Sequence, residues 1–526
     1  MLVFTHFPGA CKAVRFSMRG YKGWVWASLV IVTAVLVACV TERSPVTGKR
    51  RAYGFSWNQE LQMGQEADKQ IIQEFGLYND PQLQAYVQRV GQGVLAKSDL
   101  RDADAPEQYR NAPFTFRVLD SPVVNAFAVP GGYVYVTRGL LTHLDNEAQL
   151  SVVLGHEVAH VASRHSAQQA LKGQLGQIGL IAGGILGGQV LGDPAAAQQI
   201  MNLGAQAFQL LQLKYSRDDE READRLGVRY AAHQGYAVEE GAQFFDSLKR
   251  IGEKEGLRIP NWLATHPDPG QREQTIIKLA QQYERPGSMK MIGEDELLSR
   301  LQGIVVGENP REGFVQNGVF YHPDMKFQFR VPQGWKLKND KSAVLLGEPN
   351  QRAMMVLELT PAKSAQQAAQ ALAKTQGIRV VEGGPTRVNG RQAYQVLAQA
   401  NTQQGTAGLL TYFIEHGGRV FSFMGMTSAN ALRNYSDDFQ QTFRGFSELT
   451  DQRMLAVQPS RVQVVTADRT APFTSFLPTS DVPGMTPEDL AILNQVRLTD
   501  TIRAGQKIKV PSPSAVRSGQ TRQTTP

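Results

Sequence analysis

Two cysteines, Cys11 and Cys39, are all that the 526 residues contain. That scarcity excludes a disulfide framework. Concentrated charge is missing too. The formal net charge is +7, and the four Lys/Arg before residue 39 leave only +3 for the remainder. So mild a balance implies no nucleic-acid surface. No apolar run comfortably reaches the ~20 residues of a membrane-spanning helix. The main candidate, WVWASLVIVTAVLVAC at 24–39, is short and close to the start. The full chain is 42% hydrophobic and 20% charged, the balance of a mostly globular, soluble protein. Its length exceeds a single hydrophobic core and predicts roughly three domains.

The apolar run follows Lys12, Arg15, Arg19 and Lys22, the layout of a secretory signal. It ends in Leu36, Val37, Ala38 and Cys39, which resembles the lipobox of bacterial lipoproteins. The resemblance implies removal of residues 1–38 as a lipoprotein signal peptide and acylation of Cys39, which would leave no free thiol. An uncleaved anchor helix is the other reading, and Met18 is an alternative start. Val40 follows the cysteine where an aspartate would retain a lipoprotein at the inner membrane. By resemblance to lipoprotein sorting in Gram-negative bacteria, this implies a periplasmic protein held at the outer membrane.

Residues 39–55 are polar and basic and read as a tether. Helical periodicity begins near Ser56. In NDPQLQAYVQRVGQGVL, Asp80 can cap a helix and Pro81 suits its first turn, with Leu83, Tyr86, Val87, Val90 and Val94 on one face. Phe114, Phe116 and Val118 alternate as in a strand, and VNAFAVPGGYVYV reads as a hairpin around Pro130, Gly131 and Gly132. The stretch LIAGGILGGQVLG, 180–192, is apolar and glycine-rich. It suits either a packed helix-turn or a mobile, membrane-facing loop. Residues 287–312 read as a connecting segment. From 313 to 450, runs such as KFQFRV, MMVLEL and RVFSFMGM alternate with helix-like AQQAAQALAK, the pattern of an α+β domain. A tail from 512 to 526 is rich in Pro, Ser, Thr, Arg and Gln and should be disordered.

One stretch carries chemistry. LGHEVAHVASRHS places His156 and His160 four apart. On a helix such positions differ by about 40° and can point two imidazoles at one ion. Glu157 flanks that face and can act as a general base without being a ligand. Two ordinary helix histidines would show the same spacing. Zinc catalysis also needs a third protein ligand and an open fourth position. Downstream, in YSRDDEREADRLG, Ser216 and Asp219 suit a capping box, and Glu220 and Asp224 share a face. Glu220 can be the third ligand and Asp224 can accept the far N–H of a ligand histidine. An acid-rich first helical turn is also what the helix dipole favours. His165 lies off the His156/His160 face and is excluded from the site.

Together HEVAH, EREAD, NAFAVPGG and THPDPGQRE resemble the gluzincin metallopeptidases of the HtpX and CAAX-prenyl-protease type, in order and separation, over about residues 55–285. Among them the periplasmic assembly-enhancing proteases and related lipoproteins are the nearest in kind. The resemblance implies Zn2+ held by His156, His160 and Glu220, with Glu157 as catalytic base and Asp224 supporting a ligand. It also implies a regulatory role for His266, as a fourth ligand that holds the site latent. Oxyanion stabilisation, or capping of the helix begun by Pro267, are the rival roles. Arg272 could support the transition state or pair with an acid. The NAFAVPGG strand could take a substrate backbone by strand addition or be an ordinary hairpin.

The expected fold is multidomain. A mainly α, zincin-like peptidase domain with a small β-sheet spans 56–286. The α+β domain follows, then a module at 455–511 that weakly resembles a lysin motif, a peptidoglycan binder, or is a small packing domain. The expected function is a zinc endopeptidase of the periplasm acting on misfolded or stalled envelope proteins. By resemblance, its partners include the outer-membrane assembly machinery. An assembly or chaperone-like binding factor with latent proteolysis is the alternative.

Overall fold

Local capping rules set the helix starts of the first domain. The computed structural model describes residues 40–173, 215–255, 266, 269–283, 290–402, 405–479 and 482–512. The proposed signal, Cys39, the glycine-rich 180–192 stretch and all of the tail beyond 512 lie outside these residues.

Strands β1 (Val40–Arg43) and β2 (Arg50–Tyr53) form an antiparallel pair, with Val40 opposite Tyr53. The stretch expected to be a tether is therefore a folded hairpin. Composition hid this, because its polar residues lie mainly on the outward face while Tyr53 is buried. Helix α1 (Trp57–Phe75) starts in a capping box made by Ser56 and Gln59. Helix α2 (Pro81–Leu95) is capped by Asp80, whose carboxylate accepts from the Gln82 and Leu83 amides. Its Leu83, Tyr86, Val87, Val90 and Val94 are all buried, as their spacing predicts. Each such side chain contributes roughly 1.5–3 kcal/mol on burial.

Strands β3 (Thr115–Leu119), β4 (Ala126–Val129) and β5 (Tyr133–Thr137) make a small sheet in the order β3-β5-β4. β3 runs parallel to β5, while β4 is antiparallel to it and forms an edge. The hairpin turn demands glycine. Gly131 and Gly132 have φ of 84° and 91°, and a Cβ on either would meet a carbonyl oxygen at 2.6 Å.

Helix α3 (Glu147–Ser163), capped by Asn146, is buried along its whole length. It crosses α4 (Arg217–Gln234), whose start is the expected Ser216/Asp219 capping box and whose end is the left-handed Gly235. Helices α5 (Gly241–Glu255) and α6 (Pro269–Tyr283) complete the layer. Helix α7 (Glu294–Leu301) does more than connect domains. Its Leu297, Leu298 and Leu301, with Ile304 and Val306, join the same core as α2 and α3.

The second domain carries a seven-stranded antiparallel sheet, order β9-β10-β11-β12-β8-β7-β6: β6 (Lys336–Asn339), β7 (Ala343–Gly347), β8 (Ala353–Thr360), β9 (Ile378–Val388), β10 (Arg391–Thr402), β11 (Gly405–His416) and β12 (Arg419–Ser428). Alternation decides its two faces. Leu410, Tyr412, Ile414, Phe421 and Phe423 join a core with Phe439 and Phe443 of a helix at Leu432–Arg444. Leu409, Phe413 and Val420 face Ala365, Ala368 and Ala369 of the helix Ala365–Ala373. A four-stranded sheet, containing Phe314–Gln316, Val319–His322 and Phe327–Arg330, packs alongside.

The C-terminal module pairs Arg461–Thr466 with Lys507–Ser512 and contains the short helix Pro487–Leu493. It is docked on the first domain. Val462 and Leu493 belong to the first domain's core. Lys509 is buried, and its Nζ donates to the carbonyls of Thr142 and Leu144 at 2.9 and 2.8 Å and pairs with Asp145 at 2.7 Å.

Candidate metal centre

Two glycines bring the site together. Gly155 on α3 and Gly227 on α4 meet backbone to backbone. A Cβ on Gly227 would lie 2.5 Å from the His156 nitrogen, and one on Gly155 2.6 Å from the Gly227 carbonyl oxygen. At this separation the acids one and two turns earlier on α4 reach the histidines of α3.

His156, His160, Glu220 and His266 form a buried group whose ligand atoms all lie within 4.8 Å of one another. His156 Nε2 is 2.9 Å from His160 Nε2 and 3.2 Å from His266 Nδ1. Glu220 lies 3.6 Å from His156 Nε2, 3.5 Å from His160 Nε2 and 2.9 Å from His266 Nδ1. Glu157 is buried beside them, with Oε1 3.7 Å from His266 Nε2 and no hydrogen-bond partner.

The surrounding groups set the charge states. Burial drives His160 well below its ordinary value, and His156 and His165 push the same way. His156 is also lowered, by burial and then by the Arg272 guanidinium. Both rings are therefore neutral, with lone pairs to give. Burial would raise Asp224, but Arg272 and His156 outweigh it and bring the carboxyl down to about 2. In Glu220 burial is likewise overridden, here by His266 and Arg272, and the net shift is downward. His266 moves the other way: burial opposes its charge, yet the Glu220 and Glu157 carboxylates raise it.

These residues fit zinc. Ligands at ~2.0–2.1 Å in a tetrahedron stand about 3.3 Å apart, and the separations among His156, His160 and Glu220 run from 2.9 to 3.6 Å. Imidazole nitrogen with carboxylate oxygen is a zinc-type set. Neutral imidazoles that converge in a buried site suit a cation between them.

Each expected residue has a place. Asp224 Oδ1 is 2.9 Å from His156 Nδ1, where it fixes the ring through the nitrogen that faces away from the cluster. Arg272 pairs with an acid, as one of its two expected roles required. Its Nε donates to Asp224 at 3.0 Å, its Nη1 lies 3.3 Å from Glu220, and the guanidinium sits over the Phe245 ring. It is thus held behind the ligands. β4 is one of the sheet's two edge strands, and α3 packs against it. Residues 265, 267 and 268 of the THPDPG stretch lie outside the described residues.

Sequence reasoning missed His165. It is fully buried, with Nδ1 2.9 Å from His160 Nδ1 and Nε2 3.2 Å from Glu222. It therefore supports His160 as Asp224 supports His156. Helical spacing excluded it because it falls off the His156/His160 face and next to the expected helix end. In fact Arg164 is left-handed, with φ 56°, and turns the chain back. Nothing in a non-glycine residue announces that conformation. Tyr215 was missed as well; its ring stacks on His160 at 4.1 Å.

Residues 81–280 match peptidase family M48. Zinc is the metal of that family. Over 230 residues the chain is 29% identical to the beta-barrel assembly-enhancing protease of Escherichia coli (strain K12), covering 43% of this chain and 45% of that one. It is 30% identical over 258 residues to the mitochondrial metalloendopeptidase OMA1 of Bos taurus, covering 46% of each. These matches span less than half the length of either relative. Among solved structures, cyanobacterial PsbP from Synechocystis aligns over 25% of this chain at 13% identity, with a TM-score of 0.21, a likeness too slight to bear on the fold.

Proposed function

We propose that the chain is a zinc-dependent endopeptidase of the bacterial envelope. The observation that carries this reading is the buried set His156, His160, Glu220 and His266 with Glu157 Oε1, free of any hydrogen bond, beside it. Bound zinc would supply Lewis acidity toward the scissile carbonyl and the attacking water. His156, His160 and Glu220 hold it. Glu157 accepts the water's proton and returns it to the leaving amine. Asp224 and His165 fix the two ligand rings, and Arg272 balances the two α4 carboxylates. His266 Nδ1 stands where a fourth ligand belongs, which supports a latent site that opens when this side chain leaves. The edge of β4 offers an extended substrate its backbone partners.

The substrates are proteins of the envelope, misfolded or stalled, in keeping with the names of the relatives. Attachment is by a lipid on Cys39 at the outer membrane, and the assembly machinery there is the partner. No helix among the described residues is long and apolar enough to cross a membrane. A second reading, a binding factor for envelope assembly with latent proteolysis, is favoured by the closed geometry at His266. Glu157→Gln separates the two. Casein cleavage should fall below detection while zinc content stays at wild type. Full rescue of a null strain by that inactive variant would instead assign the main work to binding.

A further inference from the structure

The hairpin β1–β2 carries a feature that its fold does not explain. Strand pairing sets Arg43 directly opposite Arg50, and Glu42 opposite Arg51. Side chains alternate in facing, so Val40, Glu42, Arg51 and Tyr53 share one face, while Thr41, Arg43, Arg50 and Ala52 share the other. The first face packs inward. Tyr53 is buried under the Arg164 guanidinium, 3.8 Å from its ring, and Glu42 pairs with Arg164. All four residues of the second face are exposed, and Lys49 and Arg51 are exposed beside them. None of Arg43, Lys49, Arg50 or Arg51 forms an ion pair among the described residues. Like charges directly opposed across a strand pair destabilise it. An anionic surface would turn that cost into a gain.

We propose that the outer face of this hairpin docks on an anionic phospholipid bilayer and moors the metal centre over it. The reading rests on the proposed membrane attachment, and what supports the bilayer as occupant is chain continuity. The apolar run 24–39 ends at the residue before Val40. Whether that run is cleaved and Cys39 acylated, or kept as an anchor, β1 begins at the membrane surface. The mooring is stiff. Arg164, at the end of α3, binds Glu42, Glu60 and the Phe55 carbonyl, and the Gly54 amide donates to the Ala167 carbonyl at 2.9 Å. His160 lies four residues before Arg164, about 6 Å along the helix. Bilayer, hairpin and ligand helix are thus joined without a flexible link. Polypeptide segments close to the membrane surface are the substrates this geometry reaches.

The test uses the chain from Val40, which keeps every contact described here, without a lipid. Flotation with phosphatidylcholine vesicles is compared with flotation after phosphatidylglycerol is included. Binding is expected only with phosphatidylglycerol and should be released by salt. About fivefold affinity per surface cation is expected, so Arg43→Gln with Arg50→Gln should weaken binding roughly thirtyfold. Melting temperature, zinc content and casein cleavage should not fall in that variant, since neither arginine touches the metal centre. Equal binding to both vesicle types, or equal binding by the variant, overturns the mooring. Arginine-dependent binding to peptidoglycan sacculi with no vesicle binding assigns the face to the cell wall instead. Absence of casein cleavage by both the unsubstituted protein and His266→Ala would count against the peptidase reading and leave the vesicle result standing.

Discussion

Replacing Gly227 by alanine tests how the two ligand helices are held together. The new Cβ would lie 2.5 Å from the His156 nitrogen, against 3.4 Å for ordinary contact. Both neighbours are helical backbone, so neither can rotate away. The helices must separate by about 1 Å, and overpacking of this kind costs roughly 1–3 kcal/mol. That is tolerable for a domain this size, so the variant should fold with a lowered melting temperature. The site is affected more. Glu220 and Asp224 move with α4, away from His156 and His160. A displacement of about 1 Å at a reacting centre costs on the order of a hundredfold in rate. Zinc affinity, measured by competition with a chelator, should fall as well. Gly91→Ala is the control. Its Cβ would collide with the Phe116 ring at 2.3 Å, a clash within the α2–β3 packing. It should lower the melting temperature while zinc affinity stays near wild type. Wild-type zinc affinity and turnover in Gly227→Ala, with the protein folded, would refute the claim that this contact sets the ligand geometry.

Removing His266 should raise casein cleavage if its ring closes the fourth position; unchanged or lower cleavage in His266→Ala would place it elsewhere in the reaction. His165→Ala should weaken zinc binding about 10–100-fold through loss of support for His160, and wild-type affinity in the chelator assay would make it a packing residue only. His322 gives a pH dependence in the second domain. Burial lowers its pKa from 6.5 to about 4, and its neutral Nδ1 accepts the Met325 amide. The folded state binds fewer protons, so stability is lost as pH falls from 6.5 to 4, by up to about 3 kcal/mol. His322→Asn keeps an acceptor without the titration and should flatten melting temperature against pH in that window; an unchanged slope would exclude His322 as the source.

What the sequence revealed, it revealed where chemistry is local. Caps at Ser56, Asp80 and Ser216 depend on one or two residues, and each helix starts there. The apolar face of α2 depends on spacing, and it is buried. The expected ligands converge for a similar reason: a helix fixes His156 against His160, and another fixes Glu220 against Asp224. The alternating runs KFQFRV and MMVLEL became the strands Phe327–Arg330 and Ala353–Thr360, while Lys336–Asn339, Ala343–Gly347 and Ile378–Val388 went unread. The first and last of these lie at the sheet edges, where little apolar surface is buried, and the middle one is only five residues long. The hairpin at 40–53 failed in the same way, since its stability comes from Arg164 more than a hundred residues away. The tight contact of Gly155 with Gly227 also needs both helices in place before either glycine has a meaning.

Helix α3 shows how the fold prepares the polar groups of the site for an ion. A surface helix would leave one face to water, but every residue from Glu147 to Ser163 is buried. Its N-terminal end is covered by the C-terminal module, where Gln495 bonds Gln149 and the His143 carbonyl. Its C-terminal end is covered by the β1–β2 hairpin through Arg164. The two histidines and Glu157 lie between these clamps, cut off from solvent. An unpaired polar group in such a place costs several kcal/mol. Asp224 and His165 satisfy only the outer nitrogens of His156 and His160. The inner nitrogens converge on the Glu220 carboxylate, which His266 and Arg272 also hold, and Glu157 Oε1 lies beside His266. A cation at the centre would complete this convergence, and a helix sealed from both ends keeps the ligands of such an ion rigid.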